Sequence, residues 1–145
     1  MITRMENVGI VVEDLQGTIE FFTQLGLELE GRATVDQDWA ARVCGFDEVR
    51  CDIAMLRTPD GNGHVELMRY HTPTAISTGP VNAPANTLGL HRVLFAVDDI
   101  ERVVEGLRSR GVELLGELTR IEDSYLFCYV RGPEGIIVAF AEKLG

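Results

Sequence analysis

The feature that most constrains this chain is that it contains the same pattern twice. Asn7-Val-Gly-Ile-Val-Val-Glu-Asp14-Leu15 alternates apolar and other residues and runs into an acidic turn; Arg92-Val-Leu-Phe-Ala-Val-Asp-Asp99-Ile100 does the same at an offset of 85, from position 7 to position 92. The register persists beyond the strand, with Phe22 falling on Leu107, Gly26 on Gly111, Leu27 on Val112 and Leu29 on Leu114. A self-similarity of this length points to one supersecondary unit used twice.

Each acidic turn is followed by a helix-period stretch, Leu15, Ile19, Phe22 and Leu25 in the first copy and Ile100, Val103, Val104 and Leu107 in the second. Each stretch stops at a glycine, Gly26 or Gly111, which suits the left-handed position past a helix C-terminus. A strand is expected at once, over 27–29 and 112–115. Further strands are expected over 53–57 and 65–68 around Thr58-Pro-Asp-Gly61, and over 125–131 and 136–140 around Gly132-Pro-Glu-Gly135. The fold class is therefore α+β: two tandem βαβββ modules, 1–71 and 90–145, forming curled mixed sheets with helices outside, in one structural domain. The segment 72–89, rich in Thr, Pro, Asn and Gly, reads as a linker. An extra stretch over 36–46, with Trp39, Val43 and Phe46 at helical spacing, is expected to form a short helix or ordered loop, as a pocket lid or against the sheet edge.

Composition removes several classes of function. The chain has 145 residues, 46% hydrophobic and 25% charged, enough for a self-sufficient core. Its 13 basic and 23 acidic residues give a net charge of -10, without a basic run, which argues against nucleic acid as a partner. No apolar stretch approaches a membrane span and the N-terminal residues do not resemble a leader. Three cysteines, Cys44, Cys51 and Cys128, without CxxC spacing suggest neither a disulfide framework nor a zinc knuckle, so a cytoplasmic setting is expected, with all three as buried apolar groups. Phosphate loops, GxSxG and Cys-His nucleophile arrangements do not occur.

The motifs NVGIVVEDL with FFTQLGLEL, RTPDGNGHVELMRY, HRVLFAVDDIE with LRSRGVEL, and YVRGPEGIIVAFAE resemble the vicinal oxygen chelate superfamily. This superfamily includes glyoxalase I, extradiol dioxygenases, methylmalonyl-CoA epimerase and bleomycin-resistance proteins. The resemblance implies a sheet-lined cavity and a homodimer. It also implies a divalent metal held by the first residue of each opening strand and a Glu of each closing strand. Those four positions fall on Asn7, Glu66, Arg92 and Ala139.

A one-residue slip would replace Arg92 by His91 and restore a ligand. Because side chains alternate across a strand, the slip would also bring Val93, Phe95 and Val97 into the cavity and strip the helices of their apolar platform, so Arg92 is the expected inward residue. Glu66 with the Asn7 amide, even joined by His64, is a poor ligand set. The reading therefore expects no tightly held cofactor and at most weak divalent-metal binding through Glu66 and His64. Arg92 offers a planar cation for an anionic or carbonyl-bearing molecule, and Glu66 a proton acceptor; the plainer alternative is that the two form an ion pair. Met68, Tyr70, Tyr125, Phe127, Tyr129 and Trp39 are candidate substrate-binding residues beside Asn7, set against ordinary sheet core. His71, at a strand end, is either a general base or a hydrogen-bonded cap.

Two classes of function stay open. One is a small-molecule binder resembling the bleomycin-resistance members, with a degenerate metal site and no catalysis. The other is a lyase, isomerase or epimerase acting beside a carbonyl, with Glu66 as base and Arg92 as the orienting cation.

Overall fold

The structure is a computed structural model that describes residues 1, 4–77, 79–89 and 92–145. His91 lies outside the described residues. Contacts divide the chain into two units, Met1–Thr78 and Gly79–Gly145, the division falling inside the 72–89 segment.

The first unit runs β1 (Val8–Val11), α1 (Leu15–Gln24), β2 (Glu28–Val35), α2 (Asp38–Cys44), β3 (Arg50–Arg57) and β4 (His64–Thr72). The second runs β5 (Arg92–Ala96), α3 (Ile100–Arg108), β6 (Thr119–Ile121), β7 (Tyr125–Arg131), a 3-10 turn at Pro133–Gly135, and β8 (Ile137–Lys143). Their sheets have matching order, β1-β4-β3-β2 and β5-β8-β7-β6, with the opening strand parallel to the closing one and the remaining pairs antiparallel. Two βαβββ modules with mixed four-stranded sheets are thus present.

The acidic turns are helix caps. Asp14 Oδ1 accepts from the Gly17 N–H at 2.9 Å and Asp99 Oδ1 from the Arg102 N–H at 3.0 Å, satisfying amides that a helix N-terminus leaves without partners. In the second module Glu142 Oε2 takes the Ile100 N–H as well, at 2.8 Å. Past the other ends, Gly26 and Gly111 adopt φ of 111° and 79°, where a Cβ would be penalised. Between the caps, Leu15, Ile19 and Phe22 of α1 and Ile100, Val104 and Leu107 of α3 are buried. Each helix covers one face of its own sheet, where Val65 and Leu67 of β4, or Val138 and Phe140 of β8, are buried with it. Phe22 and Leu107, equivalent in the repeat, are both fully buried.

Two expectations are corrected. The second strand of the second module is not at 112–115: that segment meets β7 only through the Leu114–Val130 bridge and the Leu115 N–H to Tyr129 O and Arg131 N–H to Glu113 O bonds, and the ladder forms later, at Thr119–Ile121. Apolar residues there satisfied the strand pattern, but the backbone pairing is too sparse for a strand. Cys44 is exposed, not buried, because α2 turns its small residues, Ala40 and Ala41, to the sheet and leaves its last turn outside. The short helix expected within 36–46 is present as α2. α2 lies on the face of the first sheet opposite α1, where Ala40 and Ala41 join Val49 and Cys51, with Val35, Ile53, Met68 and Tyr70 packed against them.

Candidate functional site

The open face of each sheet, the one turned away from α1 or α3, is set by strand alternation. In β1 and β5 the positions Val8 and Ile10, and Val93 and Phe95, are buried or half-buried, as is Val12 just past β1, whereas Gly9, Val11, Arg92, Leu94 and Ala96 are exposed. Arg92 therefore shares a face with Leu94 and Ala96. In the ladders Gly9 is opposite Glu66 and Leu94 is opposite Ala139, so Glu66 and Ala139 occupy equivalent places in the two modules.

In the first module the Asn7 amide donates to Glu66 Oε2 at 3.4 Å, leaving Oε1 without a hydrogen-bond partner among the described residues. Met68 and Tyr70 alternate with Glu66 but lie beneath α2. Tyr70 has its hydroxyl 3.8 Å from Cys44 Sγ and its ring edge-on to Phe46, 6.5 Å between centroids. Burial, and then the Cys44 contact, push the Tyr70 hydroxyl up to about 12, so it stays protonated at neutral pH. Burial beside the Asp52 carboxylate likewise pushes the Cys51 thiol up to about 11. Trp39 is 54% exposed, on the side of α2 away from Ala40 and Ala41. It does not line the sheet face; α2 covers that face with its alanines.

In the second module Arg92 donates to the Tyr129 hydroxyl, and its guanidinium carbon lies 5.0 Å from the Tyr129 ring centroid. Phe127 stands next along β7 on the same face, its ring 5.5 Å from that of Tyr129 and tilted by 57°. Tyr125, third in the row, is 41% exposed. Arg131 is held by backbone, donating to the carbonyls of Ala83 at 2.8 Å and Gly135 at 3.1 Å.

The remaining histidines are paired. His64 Nε2 lies 3.1 Å from Glu30 Oε1. His71 Nε2 lies 2.7 Å from Asp52 Oδ2, Asp52 Oδ1 accepts from Thr34 Oγ1 at 2.7 Å, and Arg69 lies 3.5 Å from His71 Nδ1. The hydrogen bonds from His71 and then Thr34 hold the Asp52 carboxyl below its ordinary value of 3.8. This cluster is on the α1 face of the first sheet, and its Thr34 and Asp52 line a cavity of about 370 Å³ together with Arg32, Ala33 and Ile53. The sequence reading missed it, since only the ladder of β2, β3 and β4 sets Thr34, Asp52 and His71 side by side. Among the described residues, no three of His, Cys, Asp and Glu gather in a metal-binding group, and no helix is long and apolar enough to cross a membrane.

A duplicated βαβββ module with an exposed sheet face in each copy defines a class of fold, and comparison places the chain within it. Residues 4–140 match the model of the Glyoxalase/Bleomycin resistance protein/Dioxygenase superfamily, and the chain belongs to that family. It is similar to a crystal structure of a glyoxalase family protein from Bacillus cereus, with 48% identity, a TM-score of 0.95, and coverage of 100% of this chain and 97% of that one. A curated relative, the uncharacterized protein YwbC of Bacillus subtilis (strain 168), is 24% identical over 146 residues, spanning 99% of this chain and all of the relative. The trypanothione-dependent glyoxalase I of Leishmania major shares the fold, with a TM-score of 0.69 over 97% of this chain and 87% of that one at 18% identity.

Proposed function

We propose that the protein binds a small organic molecule on its open sheet faces without a tightly held metal and without catalysis. The observation that carries this reading is the unequal pair of modules. Where the first presents an amide and a carboxylate, Asn7 and Glu66, the second presents a guanidinium and a methyl group, Arg92 and Ala139. A guanidinium donates hydrogen bonds and has no lone pair for a metal, and a methyl has none either. Two donors, one of them an amide, fall short of the three or four protein ligands of a divalent transition-metal site. The family's metal does not fit these residues. An aromatic row beside a fixed cation suits an organic ligand with a polar or charged end.

Elemental analysis of protein purified without added metal, followed by Ni, Zn, Fe and Mn titrations, is expected to show no stoichiometric uptake; tight binding of any of them overturns the reading. A thermal-shift screen of aromatic antibiotics and of small acyl and keto acids is expected to find ligands that raise the melting temperature, since a ligand selective for the native state stabilises it.

A second reading is favoured by one observation. Glu66 is half-buried, with one oxygen held by Asn7 and the other unpartnered among the described residues, an arrangement suited to taking a proton beside a carbonyl. In that case the protein is a lyase, isomerase or epimerase, and exchange of a substrate's α-hydrogen with solvent deuterium is lost in Glu66→Gln. Homodimerisation and a cytoplasmic location belong to the same proposal, and sedimentation of the purified chain tests the first.

A further inference from the structure

Resting on the small-molecule reading above, we infer that the second module takes an aromatic carboxylate, Arg92 receiving the carboxylate and the Tyr129 hydroxyl holding that guanidinium until the ligand arrives. The sheet register lays rows of side chains across the open face. Leu94, Ala139 and Tyr129 form one row, and Ala96, Ala141 and Phe127 the next. In these two rows the central strand, β8, contributes only methyl groups, flanked by Leu94 on β5 and by Tyr129 and Phe127 on β7.

Arg92 on β5 and Tyr129 on β7 meet across β8. Ala139 beneath them is fully buried, whereas Ala141 is half-buried and Ala96 exposed. The Arg92–Tyr129 contact therefore roofs the first row and leaves the second as an accessible floor. A benzene ring laid on Ala96 and Ala141 meets Phe127 on one side and Leu94, 51% exposed, on the other. Its substituent then reaches toward Arg92.

The chemistry of that end selects the substituent. Arg92 is engaged by a phenol oxygen, a neutral acceptor for one arm of the fork. A carboxylate offers two oxygens in the plane of the guanidinium, and such charge-assisted bonds are about twice as strong as neutral ones. The neighbouring Arg131 has its Nη1 turned to the Ala83 and Gly135 carbonyls. The net charge of -10 gives an anion no long-range help, and screening beyond about 8 Å at physiological salt leaves the adjacent cation to decide. Tyr129 is accordingly an internal competitor: its ring supports the guanidinium while its hydroxyl occupies it.

Calorimetric titration of the full chain with benzoate, with benzamide as the neutral ring and acetate as the ringless anion, tests this. Benzoate is expected to bind about tenfold or more tightly than either control, as one hydrogen-bonded charge is worth. Arg92→Gln weakens benzoate about tenfold or more and removes its preference over benzamide. Tyr129→Phe, which keeps the ring and deletes the hydroxyl, tightens benzoate several-fold; a merely structural Tyr129 would weaken it or have no effect. If benzamide matches benzoate, if Arg92→Gln is neutral, or if Tyr129→Phe fails to tighten benzoate, the inference falls, while any other ligand from the thermal-shift screen keeps the broader reading. If benzoate does not bind and the screen finds no ligand, both fall.

Discussion

The two modules have the same strand order, the same capped helix and equivalent fully buried residues in Phe22 and Leu107, yet their open faces diverge. In the first, an inserted helix seats two alanines over Met68 and Tyr70, so apolar side chains that would have lined a site are spent on packing. In the second, no helix among the described residues intervenes, and Phe127, Tyr129 and Arg92 remain on the face. Duplication preserved what the helix face needs for folding and released the other face to differ. A core position is constrained by every neighbour it touches, whereas an exposed face is constrained only by what it binds.

The equivalence of the two cores is the first thing to break. Phe22→Ala is expected to cost about 3–5 kcal/mol and Leu107→Ala about 2–5 kcal/mol, since each leaves a cavity beneath a helix. Urea unfolding followed by circular dichroism measures both, and a near-neutral result at either position would mean that module lacks the core described. Next comes the asymmetry of the covers. Ala41→Glu puts a carboxylate against Cys51 and Val49 and is expected to release α2, with a loss of roughly 1–3 kcal/mol and a change in the fluorescence of Trp39. The second module has no counterpart to this change, so an unaltered α2 in the variant would remove the main contrast between the modules.

Smaller effects sharpen the shared part. Asp14→Ala and Asp99→Ala each remove a capping acceptor and are expected to cost about 1 kcal/mol. The Asp99 change should be the milder, because Glu142 continues to hold the Ile100 amide; equal losses would deny Glu142 that role. The smallest expected effect separates the first module through acid stability. Because the Asp52 carboxyl is held below 3.8 in the folded chain, its stabilisation is complete above that value and is lost as pH falls through the lower folded value. Asp52→Asn should flatten that part of the stability profile. The effect is modest, because the Asp52 side chain is 35% exposed and solvent screens its pairing with His71.

Much of this architecture was legible in the sequence. The offset of 85 carried the duplication, Asp14 and Asp99 marked the helix starts, and Gly26 and Gly111 the ends, because capping and left-handed backbone depend on residues a few positions apart. Alternation alone put Arg92 on the open face and Val93 and Phe95 on the helix side. The strand expected at 112–115 shows the limit: its apolar residues fit the pattern, but a strand exists only if a neighbour supplies a full ladder, and β7 supplies it to Thr119–Ile121. The segment holding Trp39 showed a similar gap, since its helical spacing did not reveal which side would meet the sheet.

What the sequence by itself determined is therefore the local and the repeated: two modules, their caps, the facing of their strands, and the presence of Arg92 and Ala139 where Asn7 and Glu66 set the pattern. Only tertiary structure decided that α2 would cover Met68 and Tyr70, that Asp52 would meet His71 and Thr34, and that Arg92 would cross β8 to Tyr129. Each of these joins residues from different elements. Such contacts depend on the register in which strands pair and the side on which a helix lands, and neither is written in the spacing of residues along the chain.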